Sequence, residues 1–153
     1  MEEGLQLKKG LIEHCHAHVD ERMSTITRSL RSIEESRNGE TKSSAGDKFE
    51  TGRAMMQMEE AKLNAQLGEV MKLRETMAGV KETASGDRIA TGSLVATNRG
   101  LYFLAVGIGK VKLGGRTIFC TSLTAPIGQQ LHGKQVGESF SFNELDFEVL
   151  GVV

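Results

Sequence analysis

The chain predicts an α+β protein of two parts: an N-terminal antiparallel coiled-coil helical hairpin, then a small antiparallel β domain with one short helix. Two apolar series predict the first part. Leu5, Ile12, Val19, Ile26 and Ile33 are spaced by seven, and so are Phe49, Met56, Leu63, Val70 and Met77. An apolar period of seven sustained on two neighbouring segments is the seam of a coiled coil. The series mirror each other, 33 with 49 through 5 with 77, every pair summing to 82. The partner is therefore the same chain folded back near Thr41, as a monomer. The third observation is a change of period after residue 88, from sevens to twos.

Residues 3 to 37 read as one helix. Glu2 and Glu3 suit the positive end of its dipole. Met23 and Leu30 fill intermediate seam positions, as Leu67 does on the second helix, whereas Glu60 and Arg74 leave the seam imperfect. RNGETKSSAGDK is rich in breaker and capping residues, so the hairpin occupies 1–80 with its tip near 38–48. Residues 81–87 form a polar linker. From 88 to 153, SLVAT, LYFLAVGI, KVKL, RTIFCTS, SFSF and DFEVLGVV are β-branched and aromatic runs. Asn98-Arg99-Gly100 and Gly114-Gly115 sit between them as hairpin turns. TAPIGQQLHGK interrupts the strands as a short helix, capped by Thr124, with Pro126 near its first position and Gly133 at its end.

Composition excludes some function classes. Of 153 residues 5% are aromatic, with no Trp, as befits a chain that is largely thin coiled coil. A net charge of −1 argues against duplex-DNA binding by bulk electrostatics. No apolar run approaches the ~18 residues of a membrane span, and the N-terminus lacks a signal-peptide layout, so a cytoplasmic protein is expected. Cys15 and Cys120 make no recognisable pair and read as reduced. A helix of about 35 residues is roughly 50 Å long, more than a globular core needs. Function is therefore sought at the tip.

With the hairpin, the segment Ala125-Pro126-Ile127-Gly128-Gln129-Gln130-Leu131-His132-Gly133-Lys134 and the later Val136-Gly137-Glu138 in place, the chain resembles the Gre family of bacterial transcript-cleavage factors. The segment is similar to that family's SPIGRALLGK stretch, with Ala for Ser and Gln for Arg. The resemblance implies an FKBP-like C-terminal domain and a transcription elongation factor that binds RNA polymerase. Its coiled coil would enter the secondary channel, and nucleic acid would be met only within the elongation complex. It implies polymerase contacts at Pro126, Ile127, Gly128, Gly133 and Lys134. It also implies tip acids that share a Mg²⁺ with the polymerase, stimulating the polymerase's own RNA cleavage, so that the chain is not itself an enzyme. Mg²⁺ is a hard cation that takes oxygen ligands, which is why the chemistry needs carboxylates.

The tip departs from the family pattern, and two registers compete. One puts the catalytic and metal-binding pair on Asp47 and Glu50; the other puts Lys42 and Ala45 there, leaving a non-cleaving occupant of the channel. Asp47-x-x-Glu50 also reads as an ordinary capping box. Glu40 reads as a solvated loop charge. A structural coiled-coil adaptor unrelated to transcription is the reading from a different class.

Other features have plainer readings. His14 and His18 are four apart on one helix face, near Cys15 and His16, but no third metal ligand is evident. Met55 and Met58 read as helix filler. Leu94, Leu101, Phe103 and Ala105 alternate as sheet core. No aromatic-lined pocket is recognisable to support prolyl isomerase activity. Lys110, Lys112 and Arg116 keep a hairpin edge soluble.

Overall fold

The computed structural model describes residues 2–40 and 46–153; the side chains of residues 40 and 46–49 are outside that description. Helix α1 spans Glu2–Glu40 and α2 spans Gly46–Ala78. Six strands follow, with one short helix among them: β1 Ser93–Thr97, β2 Gly100–Leu104, β3 Gly109–Leu113, β4 Arg116–Thr121, α3 Pro126–Leu131, β5 Ser139–Phe142 and β6 Leu145–Val152. Contacts divide the chain into two compact units, residues 17–74 and residues 1–16 with 75–153.

In the first unit the helices run antiparallel, but the seam is one heptad out of the expected register. The buried seam residues of this unit are Val19 and Ile26 on α1 and Leu63 and Val70 on α2, while Ile12 and Met77 are buried in the second unit. One cavity is lined by His18, Glu21, Arg22, Thr25 and Ile26 together with Gln66 and Glu69. That places Ile26 beside Leu63 and Val19 beside Val70, instead of Met56 and Leu63. A strict seven-residue repeat on both helices keeps apolar facing apolar after a slip of seven, so the pattern cannot choose between registers. The turn chooses: α1 continues to Glu40 and α2 begins at Gly46, which moves the fold axis beyond Thr41.

The seam's polar intruders find partners across it. Glu60 pairs with Arg37, and Arg74 Nη1 approaches Met23 Sδ at 3.5 Å. Helical side chains lean toward their own N-terminus, so in an antiparallel pair these long groups lean toward each other and bridge offset positions. The register has a direct test. Ile26→Cys combined with Leu63→Cys should cross-link on mild oxidation, whereas Ile26→Cys with Met56→Cys should not. A seven-residue displacement is about 10 Å, beyond disulfide reach. Preferential cross-linking of the second pair would restore the expected register.

In the second unit the strand order is β3-β4-β2-β1-β6-β5. The sheet is mixed rather than antiparallel, because β4 returns beside β2 in parallel, Leu101 opposite Ile118 and Leu104 opposite Thr121. The β3–β4 hairpin is built outward at that edge through Gly114 and Gly115, both at positive φ. Hairpin signals identify each turn but not the strand to which a hairpin attaches. The run after Leu104 also leaves the sheet sooner than its apolar character suggested, since Val106 is buried outside any strand.

Each sheet face has its own cover. Phe103, Val111, Ile118 and Cys120 lie on the face met by the first turns of α1, where Leu11, Ile12 and Cys15 are buried. Gly10 lets the helix approach, since a Cβ there would stand 2.8 Å from Leu113 Cδ2. Lys8 is buried with them, donating from Nζ to the Thr83 carbonyl at 2.7 Å and the Val153 carbonyl at 3.3 Å. On the opposite face Ile89, Val95, Leu104, Leu131 and Val149 form a core beneath α3. A bulge between Ala96 and Thr97 opposite β6 turns both Val149 and Val152 toward that core, at the cost of exposing Leu150. Among the described helices none is long and apolar enough to cross a membrane.

Candidate functional site

Two regions carry the residues singled out by sequence. The first is the start of α2. The helix begins at Gly46, so Asp47 is its second residue and Glu50 its fifth, three apart and so about one turn from each other. A simple capping box would instead set Asp47 just ahead of the helix. Glu50 is exposed. The Asp47 side chain, and residues Lys42 and Ala45 of the competing register, lie outside the described residues, as does the Glu40 side chain. Carboxylates are suitable oxygen ligands for Mg²⁺, but two of them fill only part of an octahedral shell. Among the described residues no group of three His, Cys, Asp or Glu side chains is arranged to hold a metal; His14 is exposed and His18 half-buried.

The second region is α3 and its flanks. Ala125, not Thr124, precedes the helix; its φ of −70° and ψ of 147° are extended, and no side chain caps the first turn. Thr124 is occupied elsewhere: its hydroxyl meets Ser122 Oγ at 3.0 Å, and its carbonyl accepts from Gln129 Nε2. Pro126 opens the helix, where its missing N–H costs nothing. Ile127 packs on the core under α3. Gly128 is pressed against the Ser122 carbonyl so closely that a Cβ would lie 1.9 Å from its oxygen. The helix ends at Leu131, two residues short of Gly133, with the His132 N–H bonded to the Gly128 carbonyl. Gly133 has φ +82°; its N–H donates to the Ile89 carbonyl and its carbonyl accepts from Arg88 Nη1. The Lys134 carbonyl receives the Ile89 N–H, and its ammonium sits 5.2 Å from the Phe140 ring centre. Each member of this stretch thus has a packing or backbone role in the fold.

Beside α3 the structure assembles a feature that sequence reading missed. Tyr102, Phe119, Phe140, Phe142 and Phe147 come together on one sheet face. Phe140 and Phe147 stack at 5.0 Å, and Tyr102 lies 5.4 Å from Phe119 and 6.3 Å from Phe147. Arg99, Lys110 and Lys134 each place a cation over a ring, at 5.7, 5.6 and 5.2 Å. Burial pushes the Tyr102 hydroxyl pKa up, partly offset by the Arg99 charge. Strand parity was the available signal: Tyr102 pairs with Phe119 and Phe140 with Phe147, so each pair must share a face. Joining the two pairs required the strand order. Lys110 is accordingly more than an edge-solubilising residue. Arg116 pairs with Glu3 on the face covered by α1.

No family model matches the chain, and no curated protein is found similar to it. Among solved structures, the transcription factor Gfh1 aligns over 97% of this chain and 92% of its own, with 19% identity and a TM-score of 0.35. A likeness of that degree carries no argument about function.

Proposed function

We propose that the protein is a transcription elongation factor that binds RNA polymerase and works through the tip of its helical hairpin in the secondary channel. The observation that carries this reading is the pair Asp47 and Glu50, one turn apart where α2 begins, on a hairpin of two helices of 39 and 33 residues. The α3 segment, Pro126 to Lys134, supplies the polymerase contact. Asp47 and Glu50 hold a Mg²⁺ jointly with carboxylates of the polymerase, because alone they offer too few ligands. The ion's contribution is to activate water for cleavage of backtracked RNA. The chain's own part is to deliver and orient two carboxylates.

Co-sedimentation with core polymerase and cleavage of stalled, backtracked complexes test this. Asp47→Ala and Glu50→Ala should each lower stimulated cleavage by about 10²-fold, the usual scale for removing one preorganised charged group, with polymerase binding unchanged. Asp47→Asn separates roles, since Asn serves a helix start nearly as well as Asp but is a poorer Mg²⁺ ligand. Binding without any stimulation by the native protein would mean a non-cleaving regulator whose tip presents Lys42. No binding at all would defeat the proposal and favour a coiled-coil adaptor.

A further inference from the structure

The ring contacts beside α3 form one continuous band across the sheet. Phe119 on β4 meets Tyr102 on β2 at 5.4 Å, and Tyr102 reaches Phe147 on β6 at 6.3 Å. Phe147 in turn meets Phe140 and Phe142 on β5, at 5.0 and 6.4 Å. Phe147 is buried, whereas Tyr102, Phe119, Phe140 and Phe142 are half-buried, each keeping part of its side chain in solvent. Charge is sorted between the two sheet faces. Lys110 is the cross-strand partner of Phe119 and Lys112 that of Thr117, so both lysines stand on the aromatic face. Arg99 and Lys134 reach that face from outside the strands, over Phe147 and Phe140. The carboxylates that the strands carry, Asp146 and Glu148, flank Phe147 in β6 and therefore lie on the opposite face. Among the described residues none of these four cations is in an ion pair.

We infer that this face binds single-stranded RNA. Half-exposed rings on neighbouring strands accept unstacked bases, and cations set above the rings meet the phosphates between those bases. Charge complementarity sets the sign of the ligand, and the rings set its kind. An acidic protein would satisfy the cations but leave the band of rings without flat partners. A duplex keeps its bases stacked inside, and it needs the broad basic surface that a chain of net charge −1 lacks. Stacking reads no base edge, so binding is largely independent of sequence. The stacking surface stands on its own geometry; only the choice of RNA over DNA rests on the proposed function, in which RNA is the strand acted upon.

Fluorescence anisotropy of the full chain with a labelled oligouridylate of about ten nucleotides tests this, with no polymerase present. The expected result is saturable binding that weakens as salt rises. Phe119→Leu and Phe142→Leu keep an apolar side chain but remove the stacking ring, and each should weaken binding at least about fivefold. Lys110→Gln should lower the slope of log affinity against log salt by about 0.7, one phosphate contact. Thiouridine-containing RNA should cross-link on irradiation to the peptides that carry Phe119 and Phe142, a readout that needs no variant. No binding, cross-links confined to the helical hairpin, or leucine variants that bind as the native chain does would each overturn the proposal. So would poly-glutamate competing as well as RNA, since charge alone would then suffice. Equal or tighter binding of an oligothymidylate would overturn the assignment to RNA. Lys134 is left unaltered because the proposed polymerase contact includes it, so the two readings fail separately.

Discussion

Gly128→Ala is expected to destabilise the sheet-containing unit by about 3 kcal/mol, at the upper end of what overpacking normally costs. A single added methyl group has nowhere to go. It would stand 1.9 Å from the Ser122 oxygen, 2.9 Å from the Ser122 carbonyl carbon and 3.2 Å from Leu104 Cδ1. Two of these are backbone atoms, and the Ser122 oxygen also accepts the Ala125 N–H that leads into α3. Relief therefore requires moving the helix, which strips cover from Leu104 and Leu131 in the core beneath it. Thermal melting followed by circular dichroism should show a midpoint lower by roughly 6–12 °C. Gly133→Ala is the control. Nothing lies within 4 Å of a Cβ there, so only the positive φ of +82° opposes it, at about 1 kcal/mol. Equal losses from the two substitutions would show that the Ser122 contact is not what fixes α3.

Lys8→Ala is the second large effect, with an expected loss of about 2–4 kcal/mol. Lys8 is 2% exposed and acts as a post between α1, the segment after α2 and the last strand. Truncation leaves a cavity where the aliphatic stem was, and the Thr83 and Val153 carbonyls lose their shared donor. Lys8→Met keeps most of the volume and removes the charge, so its loss should be smaller. Acidity distinguishes the charge from the packing. Burial lowers the Lys8 pKa below its ordinary value of 10.5. Between that lowered value and 10.5 the unfolded chain binds more protons than the folded one, so Lys8 makes folding more favourable as pH rises. Urea midpoints of the native protein and Lys8→Met should therefore diverge in favour of the native protein as pH approaches 10.5. A pH-independent difference would show that the ammonium is effectively solvated.

The two parts of the molecule were legible to different depths. Burial on a coiled-coil seam follows from local spacing, so Ile12, Val19, Ile26, Leu63, Val70 and Met77 could be read as core directly. Their pairing could not, because a repeat is unchanged by a shift of one period. Strand positions after residue 88 were also local, written in β-branched runs and in Gly114-Gly115. The last hairpin was less so. Its turn uses Asn143 and Glu144 at φ 51° and 65°, and a Glu in that left-handed region is no sequence signal. The candidate site divides likewise. Asp47 and Glu50 are visible as acids at a helix start. The aromatic face and the Lys8 post join residues that local patterns leave unrelated.

By itself, then, the sequence determined where the helices and most strands fall, because propensity, period and turn chemistry act over a few residues. Tertiary structure alone decided the heptad register, the parallel placement of β4 beside β2 and the seating of the first turns of α1 against the β3–β4 hairpin. These are contacts between distant segments. They are selected by turn length, by the close approach that Gly10 and Gly128 permit, and by the shared burial of both sheet faces, none of which is a property of any one stretch of chain.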